Sequence, residues 1–125
     1  MNLVDSSAWL EYFSDGANAG FFAPAIENSA ELIVSAINIY EVFKRVLQQR
    51  GESAALRAVA VMEQARLIEV GESIALHAAQ LALELKLPMA DSLILATARE
   101  NGAVLWTQDA DFRDIEGVRY RAKRD

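Results

Sequence analysis

PMADSLILATARENGAVLWTQDADF, residues 88 to 112, is the stretch that decides how this chain folds. Ile94, Leu95 and Ala98 stand three, four and seven positions after Asp91, so a helix starting near Pro88 carries Asp91 at the head of its buried face. Asn101-Gly102 stops that helix, Ala103 to Trp106 is an apolar run of strand length, and Thr107 to Asp111 turns with two further acids. The order is helix, turn, buried strand, acidic loop. A carboxylate at the head of a buried face is costly unless a charge meets it, so these acids need a counter-charge.

Working back towards the N-terminus, the same alternation recurs. Asn2 to Val4 reads as a short strand ending at Asp5, and Ser6-Ser7 offers hydroxyls to cap the helix that follows. Leu32-Ile33-Val34 is a second buried strand, with Asn38 standing where a helix cap would be. Ile39, Val42, Phe43, Val46 and Leu47 then keep helical spacing up to a stop at Gly51. A further helix from Glu52 to Arg66 has Ala54, Ala58, Val61, Met62 and Ala65 on one stripe, and Leu67 to Val70 is a third strand candidate. Ser73 is placed to cap the next helix, with Ile74, Ala78, Leu81 and Leu85 inward. Val118 to Tyr120, after the turn at Glu116-Gly117, suits an edge strand. Apolar strands alternating with helices imply right-handed parallel crossovers, covered on both faces. The expected fold is α/β, a three-layer sandwich around a central, mainly parallel sheet.

At 125 residues and 53% hydrophobic content, the chain suits one domain, residues 1–125, with a sizeable core. No apolar run approaches the roughly 20 residues that span a bilayer, no signal-peptide pattern opens the chain, and there is no cysteine. A cytoplasmic setting without membrane contact is expected, and thiol catalysis and cysteine-ligated zinc are excluded. The net charge of −6 has the wrong sign for a nucleic-acid binder, but Asp5, Glu41, Asp91, Asp109 and Asp111 supply five of the negative charges, and bound cations would reverse that local field. Arg119, Arg121, Lys123 and Arg124 form a basic cluster that reads first as a solvated terminus and second as a phosphate-contacting arm.

Four acids stand at comparable places: Asp5 after the first strand, Glu41 and Asp91 in the first turns of helices, and Asp109 after a later strand. Each has an ordinary explanation. Asp5 by spacing alone is a helix cap, and Asn38 with Glu41 has the spacing of a capping box. Together they would meet at the carboxyl edge of one sheet, where repulsion raises their pKa values unless cations intervene. Oxygen ligands without cysteine or clustered histidine favour Mg2+ or Mn2+. His77 is the only histidine and reads as structural. Catalysis by a pair of histidines as acid and base is therefore implausible.

These residues resemble a known family. VDSSAW at 4 to 9, Glu41 within NIYEVFK, MADSLILATA at 89 to 98 and TQDADF at 107 to 112 are similar to the four motifs of PIN-domain ribonucleases, specifically VapC-type toxins. The resemblance covers the whole chain in order and length. It implies a metal-dependent endoribonuclease in which Asp5, Glu41, Asp91 and Asp109 bind Mg2+ or Mn2+, with Asp111 accessory and Ser7 and Thr107 as hydroxyl supports. Of the two acids in TQDADF the family pattern favours Asp109. It further implies an RNA substrate, products with 5′-phosphate and 3′-hydroxyl ends, a VapB-like protein antitoxin and a homodimer. Trp9, Tyr12, Phe13, Phe21 and Phe22 hold half of the ten aromatic residues; core packing is the first reading of this segment, and an exposed groove covered by the antitoxin tail is the second.

Other carboxylate chemistries fit less well. A response-regulator receiver would need an acidic pair after the first strand and a lysine near Trp106, and a dehalogenase-type phosphatase would need an Asp where Ser7 stands. The alternative from another class is a catalytically silent PIN-like interaction module. Intact acids at all four motif positions weigh against it.

Overall fold

The structure is a computed structural model that describes residues 1–124. Its centre is a five-stranded sheet of β1 (Asn2–Val4), β2 (Leu32–Ser35), β3 (Arg66–Ile68), β4 (Val104–Thr107) and β5 (Val118–Tyr120), in the order β3-β2-β1-β4-β5. Every pairing is parallel. The chain builds outward from β1 to β3, then returns to lay β4 on the other side of β1. The strand order therefore reverses between β1 and β4, and in open parallel sheets ligands collect at the carboxyl ends of strands beside such a reversal. Asp5 and Asp109 follow these two strands.

Strand alternation divides the core into two halves. Leu3 pairs with Ile33 and Leu105 on one face, while Val4 and Trp106 stand opposite each other on the other face. The first set joins Ile74, Leu81, Ile94 and Leu95 beneath α5 (Glu72–Leu85) and α6 (Met89–Glu100). The second set joins Trp9, Phe22, Val42 and Met62 beneath α1 (Ser6–Phe13), α2 (Ala19–Ile26), α3 (Ala36–Arg50) and α4 (Glu52–Met62). This is the expected three-layer α/β sandwich. No helix among the described residues is long and apolar enough to cross a membrane.

The helix of the opening stretch forms as read, with Pro88 at its N-cap position and Asn101 at its C-cap. Gly102 takes φ +60, a left-handed conformation that glycine adopts without the penalty a Cβ imposes, and turns the chain into β4.

Four local expectations are corrected. Helix α3 begins at Ala36, not after Asn38: Ser35 is the N-cap, its Oγ accepting from the Ile37 amide, while Asn38 Oδ1 accepts from the Ser35 amide. This box needs no glutamate, so Glu41 has no capping role. Helix α5 starts after Gly71, and Ser73 donates to Glu100 Oε1 instead of capping. The third strand lies at Arg66–Ile68 rather than 67 to 70, because an edge strand with exposed Arg66 and Leu67 has no continuous apolar run to reveal it. Finally, α4 stops at Met62 and turns Ala55, Ala58 and Met62 inward, leaving Val61 at the surface.

Candidate active site

At the end of β1 the backbone passes straight into α1, and Asp5 occupies the N-cap position without using its side chain as a cap. Its Oδ2 instead accepts two hydroxyl hydrogen bonds, from Ser7 and from Thr107, both at 2.8 Å. Ser7 stands two residues on, and Thr107 comes from the end of β4. With Oδ2 occupied on two sides, Oδ1 is the oxygen left to face a ligand. The hydroxyl supports expected at Ser7 and Thr107 are thus in place geometrically. Asp5 is only 3% exposed.

Thr107 also shapes the acidic loop. Its Oγ1 accepts from the Asp109 amide at 2.9 Å, and Asp109 Oδ1 accepts from the Asp111 amide at 2.9 Å. This pair of local bonds turns the chain so that both acids face α6. Carboxylate oxygens of Asp91, Asp109 and Asp111 all lie within 4.8 Å of one another. Asp111 is as much a member of this trio as Asp109.

Glu41 reaches the site from α3. Ser6 Oγ donates to Glu41 Oε1 at 2.7 Å and accepts from Asn38 Nδ2 at 2.9 Å. Asn38 is fully buried, so one asparagine both completes the α3 cap and orients the serine that holds Glu41. Glu41 is close enough to Asp5 for its charge to raise the Asp5 pKa. Of the four acids expected from sequence, Asp5, Asp91 and Asp109 thus feel one another's charge, while Glu41 is linked to them through Asp5 and stands outside the close trio.

The electrostatics are unfavourable as they stand. Burial pushes Asp5 up to about 6 against the lowering effect of its two hydroxyl bonds, and the charges of Asp109 and Glu41 add to the rise. Asp91 is pushed up to about 8 by burial first, then by the charges of Asp109 and Asp5 and by a hydrogen bond with Asp111. The ion pairs among the described residues are Met1 with Glu31 and His77 with Glu100. Neither touches this edge. Protons are thus the charge-balancing species available within the protein, and the donor set, all carboxylate oxygen, is one that hard divalent cations fill.

Sequence reasoning missed Ser6, Asn38, Gln108 and Asn18. Gln108 donates from its amide to Ser7 Oγ and from Nε2 to the Ser7 carbonyl, and its Oε1 accepts from Asn18 Nδ2. Asn18 also donates to the Ala122 carbonyl, tying the segment after β5 to the site. The adjacent serines were a signal for Ser6. Nothing local links Asn18 to Gln108, which are 90 positions apart.

Residues 3–118 match the PIN domain family. The chain belongs to the PIN domain family. Among curated relatives of this PIN domain, ribonuclease VapC4 of Mycobacterium tuberculosis is 33% identical over 124 residues, 93% of this chain and 92% of that protein. Among solved structures, a toxin-antitoxin complex from Klebsiella pneumoniae superposes with TM-score 0.79 at 26% identity, covering 95% of this chain and 96% of the other. Mycobacterium tuberculosis VapC20, a sarcin-ricin loop cleaving toxin, shares the fold with TM-score 0.73 at 19% identity, covering 90% and 92%.

The aromatic segment of the PIN domain is mainly core, the first of its two expected readings, rather than an open groove. Trp9 and Phe22 are buried core residues. Tyr12 donates to Glu27, and Phe21 lies beneath the Arg121 guanidinium. Phe13 alone of the five lines a cleft of about 580 Å³ that runs between α1, α3 and α4.

Proposed function

We propose that this PIN domain is a metal-dependent endoribonuclease that hydrolyses RNA phosphodiesters and is the toxin of a type II toxin-antitoxin pair. The observation that carries this reading is the gathering of Asp5, Glu41, Asp91, Asp109 and Asp111 at the β1/β4 reversal with no basic side chain paired to any of them among the described residues. The residues that would hold Mg2+ or Mn2+ are Asp5 through Oδ1, Asp91, Asp109 and Asp111, with Glu41 beside them. When bound, such an ion supplies charge to the leaving oxygen and lowers the pKa of water.

Each side chain then has a separable task. Ser7 and Thr107 hold Asp5 in one rotamer by fixing Oδ2. Ser6 and Asn38 do the same for Glu41. Asp91, pushed up by burial and by its acidic neighbours, gives up its proton before a cation can enter, so loading is favoured as pH rises. In the hydrolysis itself water adds to phosphorus and the bond to the 3′ oxygen breaks, leaving 5′-phosphate and 3′-hydroxyl ends.

The relatives' names support a VapB-like protein antitoxin as the inhibitor. The α1–α3–α4 cleft suits an amphipathic tail, with Leu10, Phe13 and Val46 on its floor and Arg45, Arg50 and Arg57 along its rim. Leu76 and Leu83, 62% and 86% exposed on the outer side of α5, support self-association as a homodimer.

The test is RNA cleavage by purified, partner-free protein with Mg2+ or Mn2+, against the same reaction in EDTA. Cleavage that requires the ion and stops on adding the antitoxin is expected. Absence of ion-dependent cleavage at any pH, with the fold intact, overturns the reading in favour of a silent interaction module.

A further inference from the structure

Beyond the acids, the segment from β5 onward has an arrangement that the cleavage reaction alone does not require. Val118 packs into the α5–α6 half of the core, so the alternate residues Arg119 and Arg121 face the opposite side of the sheet. There the Arg119 guanidinium carbon lies 4.4 Å from the centre of the Trp106 ring, and that of Arg121 lies 4.4 Å from the centre of Phe21. The two rings are themselves 5.4 Å apart. Each guanidinium thus has one face on an aromatic ring, and neither pairs with a carboxylate among the described residues.

The backbone beneath them is pinned. The Arg121 amide donates to the Thr107 carbonyl at 3.0 Å, and the Ala122 carbonyl accepts from buried Asn18 at 2.9 Å. Lys123 follows at the next alternate position and lines the cleft together with Ser7 and Gln108. Ser7 is bonded to Asp5. A row of three cations therefore leads along the sheet edge to the cleft that Ser7, the hydroxyl partner of Asp5, also lines.

We infer that Arg119, Arg121 and Lys123 form a track that binds successive phosphates of a single-stranded RNA and delivers the strand to the acids, an inference that rests on the ribonuclease reading above. Five carboxylates repel a polyanion, and a chain of net charge −6 offers no general attraction, so the substrate needs a local cationic path. Stacking on Trp106 and Phe21 fixes each planar fork beforehand, so little side-chain freedom is lost on binding. Alternate residues of an extended segment repeat every ~6.6 Å, comparable with the separation of neighbouring phosphates in an extended strand. The row lies beside the acids that the ribonuclease reading assigns to phosphodiester cleavage, which favours RNA over an acidic protein tail as the occupant.

The test uses Arg119→Leu and Arg121→Leu, singly and together, since leucine keeps an apolar cover on each ring while removing the charge. In Mg2+-dependent cleavage of a labelled single-stranded oligoribonucleotide, the double variant should raise KM about tenfold, the loss falling in KM rather than kcat. The slope of log(kcat/KM) against log salt should become shallower by about 0.7 for each arginine removed. Arg121→Lys should recover part of the affinity, and melting temperatures should match the parent. Anisotropy of the same RNA, measured in EDTA, reads binding directly and should weaken in the same order. Unchanged RNA affinity and salt slope in the double variant overturn the track, as does a variant that weakens antitoxin capture alone. A parent protein that binds the RNA through these residues but never cleaves it refutes the ribonuclease reading and leaves the track standing.

Discussion

Helix α6 has a carboxylate near each end, and the two live under opposite conditions. Glu100, in its last turn, accepts from Ser73 Oγ at 3.0 Å and lies 3.2 Å from His77 Nδ1, both reaching across from α5. It is satisfied where it stands. Asp91, in the first turn, faces Asp109, Asp111 and Asp5 with no basic partner among the described residues, and is pushed up to about 8. The same helix thus carries a hydrogen-bonded acid at one end and holds a frustrated group at the other. A fold retains frustration of this kind where the uncompensated groups are used, and the use proposed above is to hold a cation.

Substitutions at the two ends should separate most sharply in activity. Asp91→Asn, and likewise Asp5→Asn, should lower ion-dependent RNA cleavage by about a hundredfold or more, while the melting temperature in EDTA at pH 8 stays level or rises because a repelling charge is gone. Wild-type cleavage by Asp91→Asn would remove it from the site.

The pH dependence of stability comes next. Asp5 and Asp91 have folded pKa values of about 6 and about 8, above the ordinary 3.8, so the folded state binds more protons than the unfolded chain between those limits. Stability in EDTA should therefore fall as pH rises from about 4 to about 8, and Mg2+ should flatten that decline by replacing the protons. A melting temperature that climbs over this range in EDTA would contradict the assigned frustration.

Glu41 and Asn38 sharpen the comparison at a third place. With the cap of α3 supplied by Ser35 and Asn38, Glu41→Gln should abolish activity at nearly unchanged stability. Asn38→Ala removes the buried partner of both Ser35 and Ser6, and should cost about 1 kcal/mol in denaturant unfolding as well as activity. Loss of stability in Glu41→Gln with cleavage retained would reverse these roles.

The smallest effect belongs to the satisfied end. Glu100→Gln should change stability by less than about 0.5 kcal/mol, as exposed pairs do, and leave cleavage within error of the parent. A measurable loss of cleavage there would mean that the two ends of α6 are not independent.

Much of this was legible in the chain itself. Apolar runs at Leu3, Ile33 and Leu105 mark buried parallel strands because burial on both faces leaves no room for polar alternation, and Asn101-Gly102 marks a helix end because only certain residues take that turn. The four motif acids stood out because their residue types recur at strand ends and helix starts. Other features were decided by the tertiary structure alone. Edge strand β3 lacks the apolar run that betrays a buried strand, and the α3 cap moved to Ser35 because Asn38 could serve both the cap and Ser6. The hydroxyl pair on Asp5 joins residues 7 and 107, the Asn18–Gln108 bond spans 90 positions, and Arg121 covers a ring one hundred residues earlier. Local pattern reports which side of an element is apolar, whereas a hydrogen bond or stacked ring between distant positions exists only once the strand order β3-β2-β1-β4-β5 has brought β1, β4 and β5 side by side.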